Sequence, residues 1–582
     1  MLTKLLVANR GEIAVRVLRA CAEQGIESVA VHTAPDAGAM HVRLADEAVP
    51  VADYLDRDAL LDAALRFGAD AVHPGYGFLA EDAAFARAVG AAGLVFVGPP
   101  AEAVAAMGDK VVARELASAA GVPVLPAVTT SDPEAVRALG AEHGWPVLIK
   151  AAHGGGGRGM RLARGQAEVG TALTAATAEA RSAFGDGTVY AERYLAGPRH
   201  VEVQVLADAH GTVAVLGDRD CSVQRRHQKL VEEAPAPDLA DGMRAAMAAA
   251  ACRLAGAVGY RGAGTVEFLV EGDSFYFLEM NTRIQVEHPV TELVFGVDLV
   301  HEQLRIAAGA RLGPLPSLPR GHAVECRIVA EDPSNGFLPV AGQVRELTVP
   351  WAPGIRFDTG YEPGDTVPPQ YDGLIAKLVA WGPSRSAALH RARTALAAVV
   401  VTGVPTTAPA AAAVLAHPGF TSGPVTTGWF EDVVAPTLAE EPEPAGAARE
   451  AGGAWIAGRF HRVPQQPRPG VEPGRLRDPA PQRGARSGPG RGRAAPRTAG
   501  TGDGRLISSA MQGVVSGIEV AVGERVTAGR IVARVEAMKL ENPVHAATEG
   551  VVEAVCVRLG QAVAAGEILL VLAAATVDGT AS

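Results

Sequence analysis

The run Val266-Glu267-Phe268-Leu269-Val270-Glu271-Gly272-Asp273-Ser274-Phe275-Tyr276-Phe277-Leu278-Glu279-Met280-Asn281 reads as two strands around a tight loop. Residues 266–270 and 275–279 are rich in aliphatic and aromatic side chains, and Gly272-Asp273-Ser274 supplies the turn. With Glu271 paired to Phe275, Glu267 falls opposite Glu279 on one face of the sheet. Directly opposed Cβ atoms lie about 4.5–5.5 Å apart, where two like charges destabilise a sheet. Such a pair needs a counter-charge, or one carboxyl must keep its proton. A divalent cation with oxygen ligands, Mg²⁺ or Mn²⁺ bridging nucleotide phosphates, meets that need. Asn281, two residues past Glu279, adds a third oxygen on the same face. The plainer alternative is two solvated glutamates on an exposed strand.

Working outward, Arg283, Gln285 and Glu287 share parity and project together if the chain stays extended. Arg283 suits bidentate capture of a planar, carboxylate-like anion, and Lys229 is a further positive group. Glu287 is the candidate base. A surface ion-pair network is the competing reading of the same charges. Upstream, Val147-Leu148-Ile149-Lys150 is a buried-strand pattern ending in lysine. It runs into Ala151-Ala152-His153-Gly154-Gly155-Gly156-Gly157-Arg158-Gly159. Glycines let successive backbone N–H groups approach phosphate oxygens, and Lys150 and Arg158 add positive charge.

Residues 4–32 read strand, helix, strand, with Ile13, Val17 and Leu18 inward and Gly25 ending the helix. An alanine-rich amphipathic helix is expected from about Ser386. A net charge of −11 argues against nucleic acid as the main partner. No membrane-spanning segment or signal peptide is expected, because the apolar start at residues 5–8 is cut short by Asn9-Arg10-Gly11-Glu12. Five cysteines, Cys21, Cys221, Cys252, Cys326 and Cys556, form no CxxC pair, which points to reduced thiols and a cytoplasmic location.

Near the C-terminus lies Glu536-Ala537-Met538-Lys539-Leu540-Glu541-Asn542. Around it Gly513-Val514-Val515 recurs as Gly550-Val551-Val552, Gly523 as Gly560, Val526 as Val563 and Gly529 as Gly566, each pair 37 positions apart. Two copies of a Val/Ile-rich unit with glycine turns predict a small two-fold β-sandwich, with Lys539 at the seam. Between about residues 441 and 504 proline, glycine and arginine dominate, as in a disordered linker. A coil of roughly 65 residues spans about 45 Å root-mean-square, enough for a tethered group to visit two sites. Ala454-Trp455-Ile456 and Phe460-His461-Arg462-Val463 alone have strand character there. The composition suits both a spacer and an arginine-rich surface for an acidic partner.

Several of these motifs resemble known families. Ala537-Met538-Lys539-Leu540 resembles the biotinyl domain, in which this lysine is biotinylated by a biotin protein ligase. Gln512 departs from the proline usual in that family. Asn9-Arg10-Gly11-Glu12-Ile13-Ala14, residues 41–48 and His73-Pro74-Gly75-Tyr76-Gly77-Phe78-Leu79 resemble the N-terminal domain of biotin carboxylases. From Gly108-Asp109-Lys110 onward the chain is similar to ATP-grasp ligases of that type. The resemblance implies ATP contacts from Lys110, Lys150, Gly156 and Gly157, the glycines within a mobile lid. It implies an adenine and ribose pocket of Glu192, Arg193, Tyr194 and Leu195, with His200 and His227 nearby. It further implies metal ligation by Glu267, Glu279 and Asn281. Bicarbonate would be held by Lys229, Arg283, Gln285 and Val286, with Glu287 as base and Arg327 stabilising the anionic ureido oxygen of biotin.

The expected architecture is therefore α/β and α+β multidomain. An N-terminal α/β domain (1–112), an ATP-grasp domain (113–325) and a C-terminal carboxylase subdomain (326–440) come first. The linker (441–504) and a flattened all-β biotinyl sandwich (505–575) follow. The expected activity is ATP-dependent carboxylation of protein-bound biotin by bicarbonate. Carboxybiotin would pass to a separate carboxyltransferase β subunit acting on acetyl-, propionyl- or longer acyl-CoA. The alternatives are the α subunit of a two-chain pyruvate or urea carboxylase, and an inactive ATP-grasp scaffold. Pairing of carboxylase domains into a homo-oligomer is also implied.

Overall fold

Apolar residues at Leu5, Leu6 and Val7 form the strand Lys4–Val7, and the next helix, Gly11–Gln24, buries Ile13, Val17 and Leu18 as its spacing predicts. Gly25, at φ 69°, ends that helix in the left-handed conformation that favours glycine. The strand Glu27–His32 then pairs parallel to the first. With Glu47–Pro50, Ala71–His73 and Val95–Phe96 they build a five-stranded parallel sheet. The computed structural model describes residues 2–152, 160–438, 453–456, 459–462, 505–511, 513–537, 540–564 and 566–573.

The catalytic body is an eight-stranded sheet. In spatial order its strands are Ser274–Asn281, Gly262–Glu271, Arg199–Ala207, Val213–Arg225, Gln228–Ala234, His322–Val329, Leu374–Gly382 and Ile355–Thr359. Helix Asp241–Ala257 covers one face, burying Met247, Ala250, Ala251 and Leu254 in a common cluster with Val201, Val203 and Phe268. Phe268 is fully buried and meets Phe275 edge-on at 5.4 Å. The expected divisions at 112/113 and 325/326 fall inside the helix Lys110–Ala119 and the strand His322–Val329. The latter strand joins Gln228–Ala234 on one side to Leu374–Gly382 on the other, so one sheet runs through both expected domains. A smaller antiparallel sheet of Ala127–Thr129, Val189–Arg193, Val147–Ala151 and Arg161–Ala163 stands beside it. The expected alanine-rich helix is Arg385–Ala398, capped by Ser384.

The central hairpin corrects one detail of the sequence reading. Glu271 pairs with Ser274, not Phe275, because Gly272, at φ 57°, allows a two-residue turn. That register alone would put Glu267 opposite Leu278. A bulge between Glu267 and Phe268 in the pairing adds the missing residue and restores Glu267 opposite Glu279.

The C-terminal unit consists of two four-stranded sheets. Leu506–Ser508, Ile568–Ala573, Gly550–Val555 and Arg525–Val526 form one. Leu540–His545, Ile531–Ala537, Gly513–Ile518 and Ala562–Val563 form the other. The 37-residue repeat appears in its hydrogen bonds. The Val515 N–H donates to Gln561 and that of Val552 to Glu524, while the Gly523 N–H donates to Val552 and that of Gly560 to Val515. Val515, Val526, Val552 and Val563, which are repeat mates, fill its core. Gly453–Ile456 pairs with Arg459–Arg462 where strand character was expected. Lys539, Gly156, Gly157 and most of 441–504 lie outside the described residues.

Candidate active site

Alternation along the central strands carries ionisable side chains to one place. Lys229, on Gln228–Ala234, is the hub. Its Nζ donates to Glu202 Oε2 at 2.6 Å, to Glu267 Oε1 at 3.0 Å and to Glu287 Oε1 at 2.6 Å. Burial alone would pull the amine down, but these three carboxylates hold it well above the ordinary lysine value. Burial likewise opposes ionisation of Glu287, yet Lys229 and Arg327 keep its carboxyl below the ordinary value, so it is charged at neutral pH. Arg327 donates from Nη2 to Glu287 Oε2 at 3.0 Å and from Nε to Glu232 Oε1 at 2.5 Å. Its Nη1 donates to no described residue, which leaves that nitrogen for an anionic oxygen.

The segment after Asn281 does not stay extended. It turns at residues 286–287, and Glu287 precedes the helix His288–Phe295. The expected convergence nevertheless holds. Gln285 Nε2 donates to Glu267 Oε1 at 3.0 Å, and Arg283 Nη1 donates to Gln285 Oε1 at 3.0 Å. Arg283 also donates to Glu81 at 2.9 Å and to Asn281 Oδ1 at 2.9 Å. The Val286 carbonyl is fixed by the fully buried Lys377 at 2.8 Å, and Lys377 in turn pairs with Glu12.

Glu279 is the uncompensated carboxylate. It makes no hydrogen bond or ion pair with a described residue, and burial, together with the Glu267 charge, raises its pKa. Glu267 is opposite in behaviour: burial is overridden by Lys229 and His200, and its carboxyl is held low. A half-buried carboxylate with no ion pair to a described residue, beside an ionised one, fits a divalent metal. Asn281 reaches the same place, but presents Nδ2 to Glu267 at 2.8 Å while its oxygen accepts from Arg283. Turning the amide over would aim the oxygen at the carboxylate pair.

The nucleotide candidates occupy the adjoining sheet. Lys150 pairs with Glu192 at 2.5 Å, and Glu192 also meets Arg114 at 3.4 Å. Lys110 begins a helix whose first N–H groups are capped by Asp109, and burial lowers its pKa. It makes no ion pair with a described residue, so its charge is available to phosphate. Arg193 pairs with Glu271, Leu195 is buried and Tyr194 is partly exposed. His200 Nε2 lies 3.0 Å from Glu267, which lifts its pKa to about 9 against the effect of burial. His227 sits at φ 65° in the turn before Gln228–Ala234, its pKa lowered by burial.

Four contributors were not read from the sequence. Glu202 and Arg219 form a fully buried pair at 2.5 Å, Glu81 grips Arg283, and Glu232 grips Arg327. The alternation Val201-Glu202-Val203-Gln204-Val205 was a usable sign, since a charge inside a continuous apolar strand implies a buried partner.

Comparison with known proteins agrees with this geometry. Residues 1–104 match the family described as biotin carboxylase, N-terminal domain. Residues 109–315 match the carbamoyl-phosphate synthase L chain ATP-binding domain, 325–432 the biotin carboxylase C-terminal domain, and 505–572 the biotin-requiring enzyme family. A biotin carboxylase of Nostoc is 48% identical over 442 residues, covering 74% of this chain and 99% of its own. A biotin-dependent acyl-coenzyme A carboxylase alpha3 subunit of Mycobacterium leprae is 44% identical over 574 residues, covering 94% of each. The biotin carboxylase domain of Hydrogenobacter thermophilus 2-oxoglutarate carboxylase, a dimer solved with MgADP, ADP and bicarbonate, superposes with a TM-score of 0.74. It is 44% identical and covers 76% of this chain and 100% of its own.

Fold and site together define an ATP-grasp carboxylase. The chain belongs to the biotin carboxylase family and carries a biotinyl carrier domain on the same polypeptide. It is an ATP-dependent ligase that uses ATP, biotin and Mg²⁺. Among the described residues no helix is long and apolar enough to cross a membrane.

Proposed function

We propose that this chain is the α subunit of an acyl-CoA carboxylase, loading biotin on Lys539 with a carboxyl group from bicarbonate for a separate carboxyltransferase β subunit. The observation that carries the first half is Glu287, fully buried, ionised and held between Lys229 and Arg327. A carboxylate in that state accepts the bicarbonate proton as the bicarbonate oxygen attacks the γ-phosphorus of ATP and ADP leaves. Bicarbonate taking a share of the Lys229 charge relaxes the grip on Glu287 and makes it a stronger base.

Arg283 and Gln285, with the Val286 backbone, are assigned to hold the anion. To do so Arg283 must release the Asn281 oxygen, which its Nη2 now holds. Glu267, Glu279 and Asn281 are assigned to Mg²⁺, which when bound screens the phosphate oxygens from the attacking anion. The outcome for Glu279→Gln is at least a tenfold rise in the Mg²⁺ concentration that half-saturates ADP binding, read by calorimetry; an unchanged titration contradicts the assignment. Lys110, Lys150, Gly156 and Gly157 are assigned to ATP phosphates, with Glu192, Arg193, Tyr194, Leu195, His200 and His227 around the nucleoside. The carboxyphosphate so formed breaks down to CO₂ and phosphate, the phosphate takes the N1′ proton of biotin, and that nitrogen attacks CO₂, with Nη1 of Arg327 assigned to the ureido oxygen.

The acyl-CoA half is supported by the M. leprae subunit, whose similarity runs through carboxylase and carrier alike. We further assign carrier biotinylation to a biotin protein ligase and pairing of the chain to its carboxylase region. The free cysteines suit a reducing cytoplasm. Copurifying the partner chain and assaying it with short and long acyl-CoAs, with pyruvate and with urea tests the reading. Carboxylation of an acyl-CoA is expected; turnover of pyruvate or urea alone overturns it.

A further inference from the structure

Two buried carboxyls behind the reaction centre have no part in the steps assigned above. Glu232 stands directly across the sheet from Glu325. Arg327, two residues beyond Glu325, shares that face. Both glutamates are 0% exposed. Neither oxygen of Glu325 meets a hydrogen-bond partner. An ionised carboxylate so placed is very costly, and two opposed carboxyls cannot both be charged. Glu325 is therefore the neutral member. Burial raises it well above the carboxylate range, and pushes Glu232 up to about 7 against the pull of Arg327. The proton stays on Glu325, which has no hydrogen-bond partner, and Glu232 keeps its ion pair to Arg327 Nε at 2.5 Å.

Arg327 is held at two of its nitrogens, by Glu232 at Nε and by Glu287 at Nη2. The second contact weakens when Glu287 takes up a proton as the base, because a neutral carboxyl attracts a guanidinium far less than a carboxylate does. The ureido oxygen needs the arginine in the carboxyl transfer that follows. No proton passes to Glu232 in the steps assigned above, so its contact to Nε is the one that persists.

We propose that Glu232 is the positioning residue for Arg327, fixing the guanidinium through Nε while Glu287 changes protonation, so that Nη1 stays directed to the ureido oxygen. The proposal rests on the assignment of Arg327 to biotin made above. Loss of a buried, charge-assisted hydrogen bond sets the expected effect at about tenfold or more.

The full-length protein is assayed with free biotin as the probe. Glu232→Gln is expected to lower kcat/KM for biotin by about tenfold or more, while the KM for ATP moves by less than about twofold. In an Arg327→Gln background the same change is expected to have no further effect, within about twofold, because Glu232 acts only through Arg327. Glu232→Asp, which keeps the charge, is expected to lose less than Glu232→Gln. A multiplicative loss in the double variant, or an aspartate worse than glutamine, overturns the proposal. If Arg327→Gln is impaired and Glu232→Gln is not, this inference alone fails. If Arg327→Gln turns over biotin normally, the reading of Arg327 and this inference fail together.

Discussion

Replacing Lys539 with alanine is expected to abolish labelling of the chain by streptavidin and to leave carboxylation of free biotin within about twofold of wild type. The effect is all or none, because biotin attachment requires the ε-amine and alanine offers no nucleophile. The flanking strands Ile531–Ala537 and Leu540–His545 pair up to Ala537 opposite Leu540, and the core of the unit is filled by Val515, Val526, Val552, Val563 and their neighbours. The substitution therefore removes the cargo and spares the sandwich. Coupled turnover with the partner then depends on added biotin, and concentrations on the order of millimolar are needed to match what attachment to the same chain provides. Streptavidin labelling that persists in the variant contradicts the assignment of Lys539.

The second large effect is expected at Glu287. Glu287→Gln keeps shape and volume but removes the proton acceptor. Bicarbonate-dependent ATP cleavage is expected to fall by about 10²–10⁴-fold, the range that a positioned general base contributes. Lys229 retains Glu202 and Glu267, and Arg327 retains Glu232, so no cation is stranded and the fold persists. The KM for ATP is expected to change little, since Glu287 makes no hydrogen bond or ion pair with Lys110 or Lys150. Steady-state ATP hydrolysis with and without bicarbonate checks this; a rate within about threefold of wild type contradicts the role of base.

Much of this site was legible before any coordinates. The opposed pair Glu267 and Glu279 follows from two apolar runs and a turn, and the register holds, although by a different path. A tight turn shifts the pairing by one residue and a bulge shifts it back. Local propensity reads strands and turns; a bulge depends on what lies beneath the strand, and nothing in the hairpin itself announces it. The same limit explains Glu81 and Glu232. Glu81 is about two hundred residues from Arg283, and Glu232 almost a hundred from Arg327. Single-strand alternation gives the face of a side chain and not its partner across the fold. The carrier was more transparent, since a 37-residue repeat of glycine and valine states its two-fold plan directly, and the paired hydrogen bonds follow it. The expected limit at 325/326 has no break in the sheet to mark it, because the strand His322–Val329 pairs on both sides.

The central claim is that one polypeptide both activates bicarbonate and receives the carboxyl group on its own biotin. Incubating the biotinylated chain with isotopically labelled bicarbonate, Mg²⁺ and ATP, then isolating the protein, tests it most directly. The account predicts label on the wild-type protein, dependent on ATP, none on Lys539→Ala, and a labelling rate lower by about 10²-fold or more on Glu287→Gln. ATP hydrolysis without label on the biotinylated protein, or equal label on Lys539→Ala, would contradict it.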